Sequence, residues 1–536
     1  MNQINHSLSL TENAKRPSNI FKLAGSLIGY VGLAIILLSV INLYGDNTLP
    51  TLIYSSFGLM TLGTLIYTFG AYKGKSAGIK NDYNMFDGLT SKGTSAWIIG
   101  IILTTFYVFI YWFPELIGEG QNGAENKGMV ALFDPLSELL YGKGSKASRW
   151  FMYGSLYTLA ILIFGIKFIA KYRHNRYQVI RTISVIFFQL IIAYLLPIFL
   201  ERMTLPFDQK LPNVDIKNMW PLNYYYFDTW AINDKLNAGN AGLAILITGL
   251  VLTFIVTPIL TYFYGKRWFC SWVCGCGGLA ETAGDGFRHL SDKSVKAWKI
   301  ERWMIHSVLA LSIIMTIAVI YNYRAQESSY LVTTEIFLIG ISVLFLIIWA
   351  IIYFNRQKLI NPKNKIAFTI AGGLTVFILL MIAYSYLLKG ANDLFVINTY
   401  KIQKFYGLYI GAAFSGVIGV GFYPILGSRA WCRFGCPMAA LLGIQQKFFS
   451  RFRITTNGSQ CISCGNCSTY CEMGIDVRAY AEKGQDIVRA SCVGCGVCSA
   501  VCPRGVLKLE NGPSIDKRAT EKRAIFISES EVTLLG

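Results

Sequence analysis

The residues of this chain most able to do chemistry are its thirteen cysteines, eight of which form two regularly spaced runs near the carboxyl end. Both runs have the pattern C-x2-C-x2-C-x3-C. Three thiolates two residues apart can wrap one face of a cubane iron–sulfur cluster, while the fourth turns away and ligates the other cluster. The pattern therefore predicts two 4Fe–4S clusters. Cluster one takes Cys461, Cys464, Cys467 and Cys502, and cluster two takes Cys492, Cys495, Cys498 and Cys471.

Zinc is the alternative occupant of clustered cysteines. It favours two paired cysteines and four ligands per site, so eight cysteines in a duplicated run argue against it. Pro503 follows the second run as proline often does, whereas Glu472 follows the first. Because proline is not a ligand, we expect both clusters to form. We also expect the negative charge of Glu472 to lower the reduction potential of cluster two.

The five remaining cysteines lie upstream, in two related segments. Residues 265–274 and 427–436 share G-x-R, an aromatic residue before the first cysteine, and C-x3-C, so we interpret them as a duplicated membrane unit. Cysteines four apart lie on one helix face, and together the two pairs supply enough thiolates for a third iron–sulfur centre. Structural or merely reduced thiols are the alternative, which the sequence leaves open. These cysteines are Cys270, Cys274, Cys432 and Cys436, with Cys276 as a spare ligand.

Long apolar runs dominate the rest of the chain, which is 53% hydrophobic and 15% charged, with a mean hydropathy of +0.44. A soluble protein carries about 25% charged residues. Ten runs are about long enough to cross a hydrocarbon core roughly 30 Å thick. We therefore predict a mainly α protein, a polytopic transmembrane bundle with a small α+β two-cluster ferredoxin-like domain at the carboxyl end. The predicted spans are 21–44, 49–71, 96–117, 150–170, 178–200, 241–264, 303–323, 330–354, 366–388 and 403–425.

The distribution of charge predicts how this bundle is oriented. The loop 171–181 is basic and has no acid, whereas the loop 115–149 is rich in acids. Cytoplasmic loops are enriched in Lys and Arg, so we expect both termini in the cytoplasm of a bacterium and the bundle in its inner membrane. All the cysteines then face a reducing compartment, which favours thiolate ligands over disulfides. The net charge of +19 fits this asymmetry and anionic membrane lipid, and no motif points to nucleic acid.

Composition divides the chain into six predicted segments. The basic residues Lys266, Arg267, Arg429 and Arg433 flank the C-x3-C pairs, where we expect positive-inside anchors that could also offset cluster charge. The segments are a cytoplasmic amino-terminal segment (1–20), an amino-terminal transmembrane region (21–240), a duplicated transmembrane core (241–436), an interfacial linker helix (437–455), the ferredoxin-like domain (456–510) and a tail (511–536).

The order of these motifs resembles the membrane polyferredoxins of the NosR/NapH type, over about residues 241–510. One departure is Gly275, which stands where the second copy has Pro437. The resemblance implies electron transfer between the quinone pool, or a cytoplasmic donor, and a respiratory partner protein. Members include a quinol dehydrogenase subunit, and the sequence leaves open whether this chain is itself an enzyme. Relatives also include an assembly factor thought to reduce copper, so the alternative is a redox assembly factor that reduces a metal or a thiol.

Other redox cofactors find little support in the sequence. Only His306 could enter a span, and no C-x-x-C-H motif occurs, so we expect neither b nor c haem. Residues 87–91 begin like a covalent-flavin motif but lack its later threonine, so flavin is not expected either. Centres near one face do not bridge a bilayer roughly 30 Å thick. Either a partner subunit completes the path, or quinone binds close to the cytoplasmic clusters.

Overall fold

The computed structural model describes residues 20–42, 44–73, 93–120, 125–202, 220–326, 334–354, 356, 365–387, 398–512, 525–527 and 532–534. Within these ranges the chain is mostly helical, with two small antiparallel sheets. The flavin-like residues 87–91, nearly all of the amino-terminal segment and most of the tail lie outside the described residues.

Six helices among the described residues are long and apolar enough to cross a membrane, which supports a helical membrane protein. Three further apolar helices are shorter, at Ala96–Trp112, Ile339–Phe354 and Phe368–Tyr384, so the predicted count of ten spans is not established. The six long helices cover Ile20–Ile41, Leu49–Tyr72, Arg149–Lys171, Arg176–Arg202, Gly239–Tyr264 and Val295–Tyr321.

The amino-terminal half is a helical bundle whose first two helices pack closely. Gly25 and Gly63 stand at their crossing, and a Cβ at Gly25 would lie 2.4 Å from the backbone nitrogen of Tyr67. Small residues at such crossings let helix backbones approach within a membrane. The helices are α1 (Ile20–Leu38), α2 (Leu49–Tyr72), α3 (Gly93–Trp112), α4 (Gly128–Ala131), α5 (Asp134–Tyr141), α6 (Arg149–Lys171), α7 (Arg176–Phe187) and α8 (Leu196–Arg202).

Two helices of this half, α6 and α7, begin at side-chain caps. Ser148 accepts a hydrogen bond from the backbone nitrogen of Phe151, and Asn175 accepts one from that of Gln178. A short turn joins α6 to α7, and a π-helical segment at Phe188–Leu195 continues α7 into α8. The hairpin of α6 and α7 matters for function because it carries the side chains that meet the C-x3-C segments.

The carboxyl-terminal half contains both C-x3-C segments, each placed after an apolar helix. Gly239–Tyr264 and Thr399–Ile418 both include a π-helical stretch before the motif that follows. The helices are α9 (Thr229–Asn237), α10 (Gly239–Val251), α11 (Thr257–Tyr264), α12 (Arg267–Cys270), α13 (Gly275–Thr282), α14 (Val295–Gln326), α15 (Thr334–Phe354), α16 (Lys365–Leu387), α17 (Thr399–Tyr406), α18 (Tyr423–Leu426), α19 (Ala430–Phe434) and α20 (Pro437–Phe449).

Residues 453–510 form a small α+β unit that encloses both cysteine runs, and we call it the dicluster region. Strand β1 (Arg453–Thr456) pairs antiparallel with β2 (Leu507–Glu510), so the first and last segments of the region close on each other. Ile454 also bridges to Ile487 between the two runs. Short helices α21 (Asn466–Thr469), α22 (Val477–Glu482) and α23 (Val497–Ala500) lie between the strands, and a separate hairpin pairs β3 (Ile525–Ile527) with β4 (Val532–Leu534).

The dicluster region packs directly on the helical bundle. One continuous core of buried side chains includes Phe168 of α6, Trp431 of α19 and Val493 of the second cysteine run. Helix α20 lies inside this core, with Met438 and Leu442 almost fully buried. Its Gln446 donates hydrogen bonds to the carbonyl oxygens of Arg489 and Cys492. One face of this helix is therefore buried against the bundle and the dicluster region, while Lys447 and Phe449 are exposed.

Candidate iron–sulfur centres

The predicted ligands of cluster one surround a single concavity of the dicluster region. Cys461, Cys464, Cys467 and Cys502 all line it. Burial, together with the neighbouring thiols of Cys502, Cys464 and Cys461, raises the pKa of Cys467 to about 11. The fold thus brings the last cysteine of the second run to the first three of the other run, as the crossed pattern predicts. The ligand roles themselves remain a prediction.

The predicted ligands of cluster two lie deeper and face the bundle. Burial raises the pKa of Cys498, and so do the nearby thiols of Cys495, Cys492 and Cys471. Backbone N–H groups of Met473 and Ile475 point at the Cys471 sulfur. Such hydrogen bonds tune the potential of an iron–sulfur cluster. Because the thiols must deprotonate to become ligands, loading of the clusters releases protons.

The spacing of the thiols tests whether one metal ion or a cluster fits these sites. Tetrahedral zinc, with Zn–S bonds of about 2.3 Å, would hold its sulfurs roughly 3.8 Å apart. Among the described residues, only Glu281, Glu472 and Cys495 form a group of three or more ligands with atoms within 4.8 Å of one another. The cysteine runs are spaced more widely than a mononuclear zinc site, so they fit a multinuclear cluster better.

A buried network of charges joins the dicluster region to the bundle, and sequence analysis did not find it. Arg288 Nη1 lies 2.8 Å from Glu472 Oε2, and Arg429 Nε lies 3.1 Å from Glu472 Oε1. Arg429 also pairs with Glu281, which pairs with Arg181. All five side chains are nearly inaccessible to solvent. This network, rather than lipid, surrounds Arg429.

The charge of Glu472 is therefore not an isolated one. Burial would raise the pKa of this carboxyl, but Arg288, Arg429 and Arg181 outweigh it and lower the pKa. The carboxylate is thus ionised beside cluster two, with its charge offset by guanidinium groups. We therefore expect Glu472 to lower the reduction potential of cluster two by less than an isolated negative charge would, because the guanidinium groups partly neutralise it.

Two more buried ion pairs extend the network toward the ends of the helices. Lys171 Nζ lies 2.7 Å from Asp285 Oδ2, and Arg433 Nε lies 2.7 Å from Glu301 Oε2. Burial would raise the pKa of Asp285, but Lys171 and Arg288 outweigh it and lower the pKa to about 2. Arg433 is therefore a buried cation paired within the protein.

The basic residues around the C-x3-C pairs are mostly enclosed by the fold. Lys266, Arg429 and Arg433 are all buried, so these three lie inside the protein, where they can offset cluster charge. Arg267 is partly exposed and stacks on the Phe452 ring, 4.7 Å from its centroid. The sequence does mark these positions, because G-x-R occurs in both copies of the motif. Only the packing of the structure shows that the charge of Arg429 is buried.

The four cysteines of the C-x3-C pairs, which we call the membrane thiol set, are brought together by the fold. Cys270, Cys274, Cys432 and Cys436 are all buried and belong to one core of buried side chains. Cys274 and Cys436 stand at the amino-terminal caps of α13 and α20, a position that favours thiolates.

A guanidinium bridges the two copies of the motif. Arg429 Nη1 donates to the carbonyl oxygen of Cys270 at 3.2 Å and contacts Cys432 Sγ at 3.6 Å. On the other side, the backbone nitrogen of Ala439 donates to Cys436 Sγ at 3.4 Å. The arrangement provides four thiols, hydrogen-bond donors and a positive charge, which suits an anionic iron–sulfur centre.

The first C-x3-C segment reaches deeper into the bundle than the sequence suggests. Helix α13 packs against Ile161, at the middle of α6, and Val185 of α7. A Cβ at Gly278 would lie 2.3 Å from a methyl group of Val185, so only glycine allows this approach. The pair was expected at the cytoplasmic face, but the helix after it lies level with the middle of a long apolar helix.

A cavity of about 340 Å³ adjoins the membrane thiol set. Its lining includes four tyrosines, a tryptophan and a serine, and Cys276 adds a thiol next to that of Cys274. On the predicted orientation, most of the tyrosines come from the outer ends of their segments. The residues that line it are Tyr153, Tyr157, Leu222, Tyr224, Cys274, Gly275, Cys276, Tyr406, Ile410, Gly411, Ser415, Trp431 and Pro437.

The aromatic run at 220–227 contributes to this cavity. An aromatic-rich segment next to apolar helices is typical of a belt at the membrane interface. In the structure Trp220 donates to Thr316 Oγ1 of α14 at 2.9 Å, and Tyr224 packs on Gly407 and Gly411. The run therefore packs into the bundle and closes one side of the cavity.

Comparisons with known proteins agree with the chemistry of these sites. A model of the 4Fe-4S dicluster domain matches residues 453–503, and a model of the 4Fe-4S binding domain matches residues 247–299 and 409–455. The second model thus matches both C-x3-C segments. Together with the apolar helices, these matches support a membrane protein with iron–sulfur clusters of the ferredoxin type.

One curated relative is the Escherichia coli (strain K12) protein YccM, whose name describes it as a candidate electron transport protein. It is 25% identical over 228 residues, which cover 42% of this chain and 46% of the relative. The chain therefore matches less than half the length of that relative. No solved structure matches the chain. The findings support iron–sulfur electron transfer and do not extend to a membership of the NosR/NapH type.

Proposed function

We propose that this chain is a polyferredoxin of the NosR/NapH type that moves electrons between its dicluster region and a redox partner reached through the membrane bundle. The observation that carries the proposal is one continuous core containing the predicted cluster-two cysteines and the membrane thiol set. Cluster one lies toward solvent, with Cys464 exposed, so it suits exchange with a soluble partner. The buried cluster-two ligands suit exchange with the bundle.

A third centre at the membrane thiol set is part of this proposal. Cys270, Cys274, Cys432 and Cys436 supply four thiolates, and Arg429 offsets the negative charge that a cluster would carry. The match of one 4Fe-4S binding domain model to both segments supports the same assignment. Such a centre, if bound, would supply one-electron transfer between cluster two and the cavity.

Quinone or quinol is the partner we propose for the cavity beside the membrane thiol set. Its volume of about 340 Å³ is within the range typical of small-molecule sites. Aromatic walls suit a flat ring, and the hydroxyl groups of Tyr153, Tyr157 and Ser415 could hydrogen-bond its oxygens. Oxidation of one quinol releases two electrons and two protons, and the electrons would pass singly toward the clusters.

The proposed setting is the bacterial inner membrane, with ten spans and both termini in the cytoplasm. The three shorter apolar helices and the segment Thr399–Ile418 would supply the spans beyond the six long ones. The basic inner loops favour this orientation. Anionic lipid would then face the cytoplasmic side, and a respiratory protein would complete the reaction.

Reduction of a metal or a thiol during assembly of a respiratory enzyme is the second candidate. The observation that favours it is the pair of thiols, Cys274 and Cys276, on the wall of the cavity, because soft thiolate ligands select Cu(I). Quinol-dependent reduction of the clusters without added copper would exclude this as the sole role. Copper binding that requires Cys276, without quinol activity, would favour it.

The experiment that tests the proposal is anaerobic iron and sulfide analysis with EPR on the purified protein. We expect about twelve irons, falling to about eight in a Cys270→Ser/Cys432→Ser double variant. About eight irons in both proteins would reject the third centre and leave two ferredoxin-type clusters. A quinol analogue should reduce the wild-type clusters, and a failure to do so would reject quinone as the partner.

A further inference from the structure

Lys266 is a buried cation without a partner, which distinguishes it from the other basic residues of the core. Its side chain is fully buried, and Nζ has no hydrogen-bond partner among the described residues. By contrast, the buried Lys171, Arg429 and Arg433 each pair with a carboxylate. Burying an unpaired ammonium costs several kcal/mol, so an anion is expected beside it in the loaded protein.

The position of Lys266 indicates which anion this is. Its carbonyl oxygen accepts a hydrogen bond from the backbone nitrogen of Cys270 in the membrane thiol set at 2.9 Å, and Gln446 links its peptide to Cys492 in the second cysteine run. It therefore stands between the two places where clusters are proposed. A cubane cluster with four thiolate ligands carries net negative charge. A cluster on either side would therefore supply the negative charge that the buried ammonium requires.

The backbone fixes Lys266 in this place. Its backbone nitrogen donates to Gln446 Oε1 at 2.8 Å, and Gln446 Nε2 donates to the carbonyl oxygen of Cys492 at 2.7 Å. One glutamine thus links the peptide of Lys266 to a predicted ligand of cluster two. Nearby, Ser271 donates to the carbonyl oxygen of Val493 at 2.8 Å, which ties the two segments together a second time.

We infer that Lys266 is a positioning residue that raises the reduction potential of cluster two and reduces the repulsion between cluster two and the membrane thiol set. The inference rests on the proposed ligand role of Cys492. A fixed positive charge favours the more negative, reduced state of a nearby cluster. It also makes the approach of two anionic centres less unfavourable. Lys266 itself is neither oxidised nor reduced.

The test is an EPR-monitored redox titration of the full-length protein carrying Lys266→Met. This change keeps most of the unbranched apolar stem and removes the charged terminal group. We expect the equilibrium constant for reduction of cluster two to fall about tenfold, which is about 59 mV for one electron. Lys266→Arg keeps the charge and should titrate like the wild type. The matched control is Lys299→Met, which removes the charge of an exposed lysine on α14 and should shift nothing.

An unchanged potential in a Lys266→Met protein with full iron content would overturn the inference. If that variant fails to accumulate, Lys266→Gln replaces it, because the amide is polar but uncharged, and its titration is judged in the same way. The test remains separate from the third centre, since cluster two titrates whether or not the membrane thiol set holds iron. If cluster two itself does not exist, its EPR signal is missing from the wild type.

Discussion

The dicluster region and the membrane thiol set both assemble cysteine side chains, but the chain positions these cysteines differently in the two regions. In the dicluster region the cysteines lie close in sequence on short turns, where Gly465, Gly494 and Gly496 adopt positive φ. In the membrane thiol set they come from two distant segments, and Cys274 and Cys436 cap helices.

The two sites also differ in how charge is supplied. Backbone N–H groups point at the Cys471 sulfur in the dicluster region, whereas the membrane thiol set combines one backbone N–H at Cys436 with the guanidinium of Arg429. The comparison shows that the dicluster region depends mainly on local cysteine spacing. The membrane thiol set, in contrast, exists only when the two copies of the C-x3-C motif pack together. Loss of packing should therefore affect the two sites unequally.

The largest effect should come from removing single ligands within the dicluster region. Cys464→Ser should abolish cluster one, and Cys495→Ser should abolish cluster two, each with a loss of about four irons. The measurement is iron content with EPR of the reduced protein. Full iron content in both variants would refute the ligand assignment. Cys276→Ser is the matched control, because this thiol is only a spare ligand, and its iron content should stay that of the wild type.

A smaller but still large effect should come from the charge network that joins the two regions. Arg429→Met leaves Glu281 and Glu472 with fewer cationic partners in the core, and breaking a buried pair costs about 3–5 kcal/mol. We expect a lower thermal unfolding temperature and a dicluster region that is cleaved faster by protease. Arg478→Ala removes an exposed pair with Glu482 and should change neither property. Equal behaviour of the two variants would contradict the importance of burial.

The carboxylate of Glu472 should have a moderate effect that reports on cluster two. Glu472→Gln removes one negative charge and leaves Arg288 and Arg429 less neutralised, so the potential of cluster two should rise. Redox titration measures the shift. Glu482→Gln removes an exposed charge next to the first run and should shift the potential less, because water screens it. A drop in the potential of the Glu472→Gln variant would contradict this electrostatic account.

The smallest predicted effect concerns pH and the ion pair of Asp285 with Lys171. The pKa of Asp285 is lowered to about 2, so its contribution to stability is complete above the unfolded-state pKa near 4 and is lost as pH falls toward 2. From this shift we expect Asp285→Asn to cost about 2 kcal/mol at neutral pH. Thermal unfolding of both proteins at pH 7 and pH 4.5 should show the same difference. A difference that disappears already at pH 5 would contradict the lowered pKa.

Much of the dicluster region was predictable because its information is local. The spacing of Cys461, Cys464 and Cys467 on one turn implies a common centre, and the structure brings Cys502 to them. The presence of membrane helices was predictable because a long apolar run can be identified from its own sequence alone. Their number was not settled, since helices such as Ala96–Trp112 are shorter among the described residues.

The charge network and the cavity were not predictable, because each is assembled from distant segments. Arg429 and Glu281 are far apart in the sequence, and nothing in their local patterns distinguishes them from residues at a lipid surface. The same holds for Tyr224, whose neighbours suggested an interfacial belt although it packs on Gly411 inside the bundle.

By itself the sequence determined the type of chemistry, an iron–sulfur protein with apolar helices, because cysteine spacing and hydrophobic length are properties of single segments. Only the tertiary structure decided that Lys266 and Arg429 are enclosed, that the C-x3-C segments meet, and that a cavity opens beside them. The physical reason is that burial and charge pairing depend on which surfaces come together, and these surfaces belong to residues that the chain holds far apart until it folds.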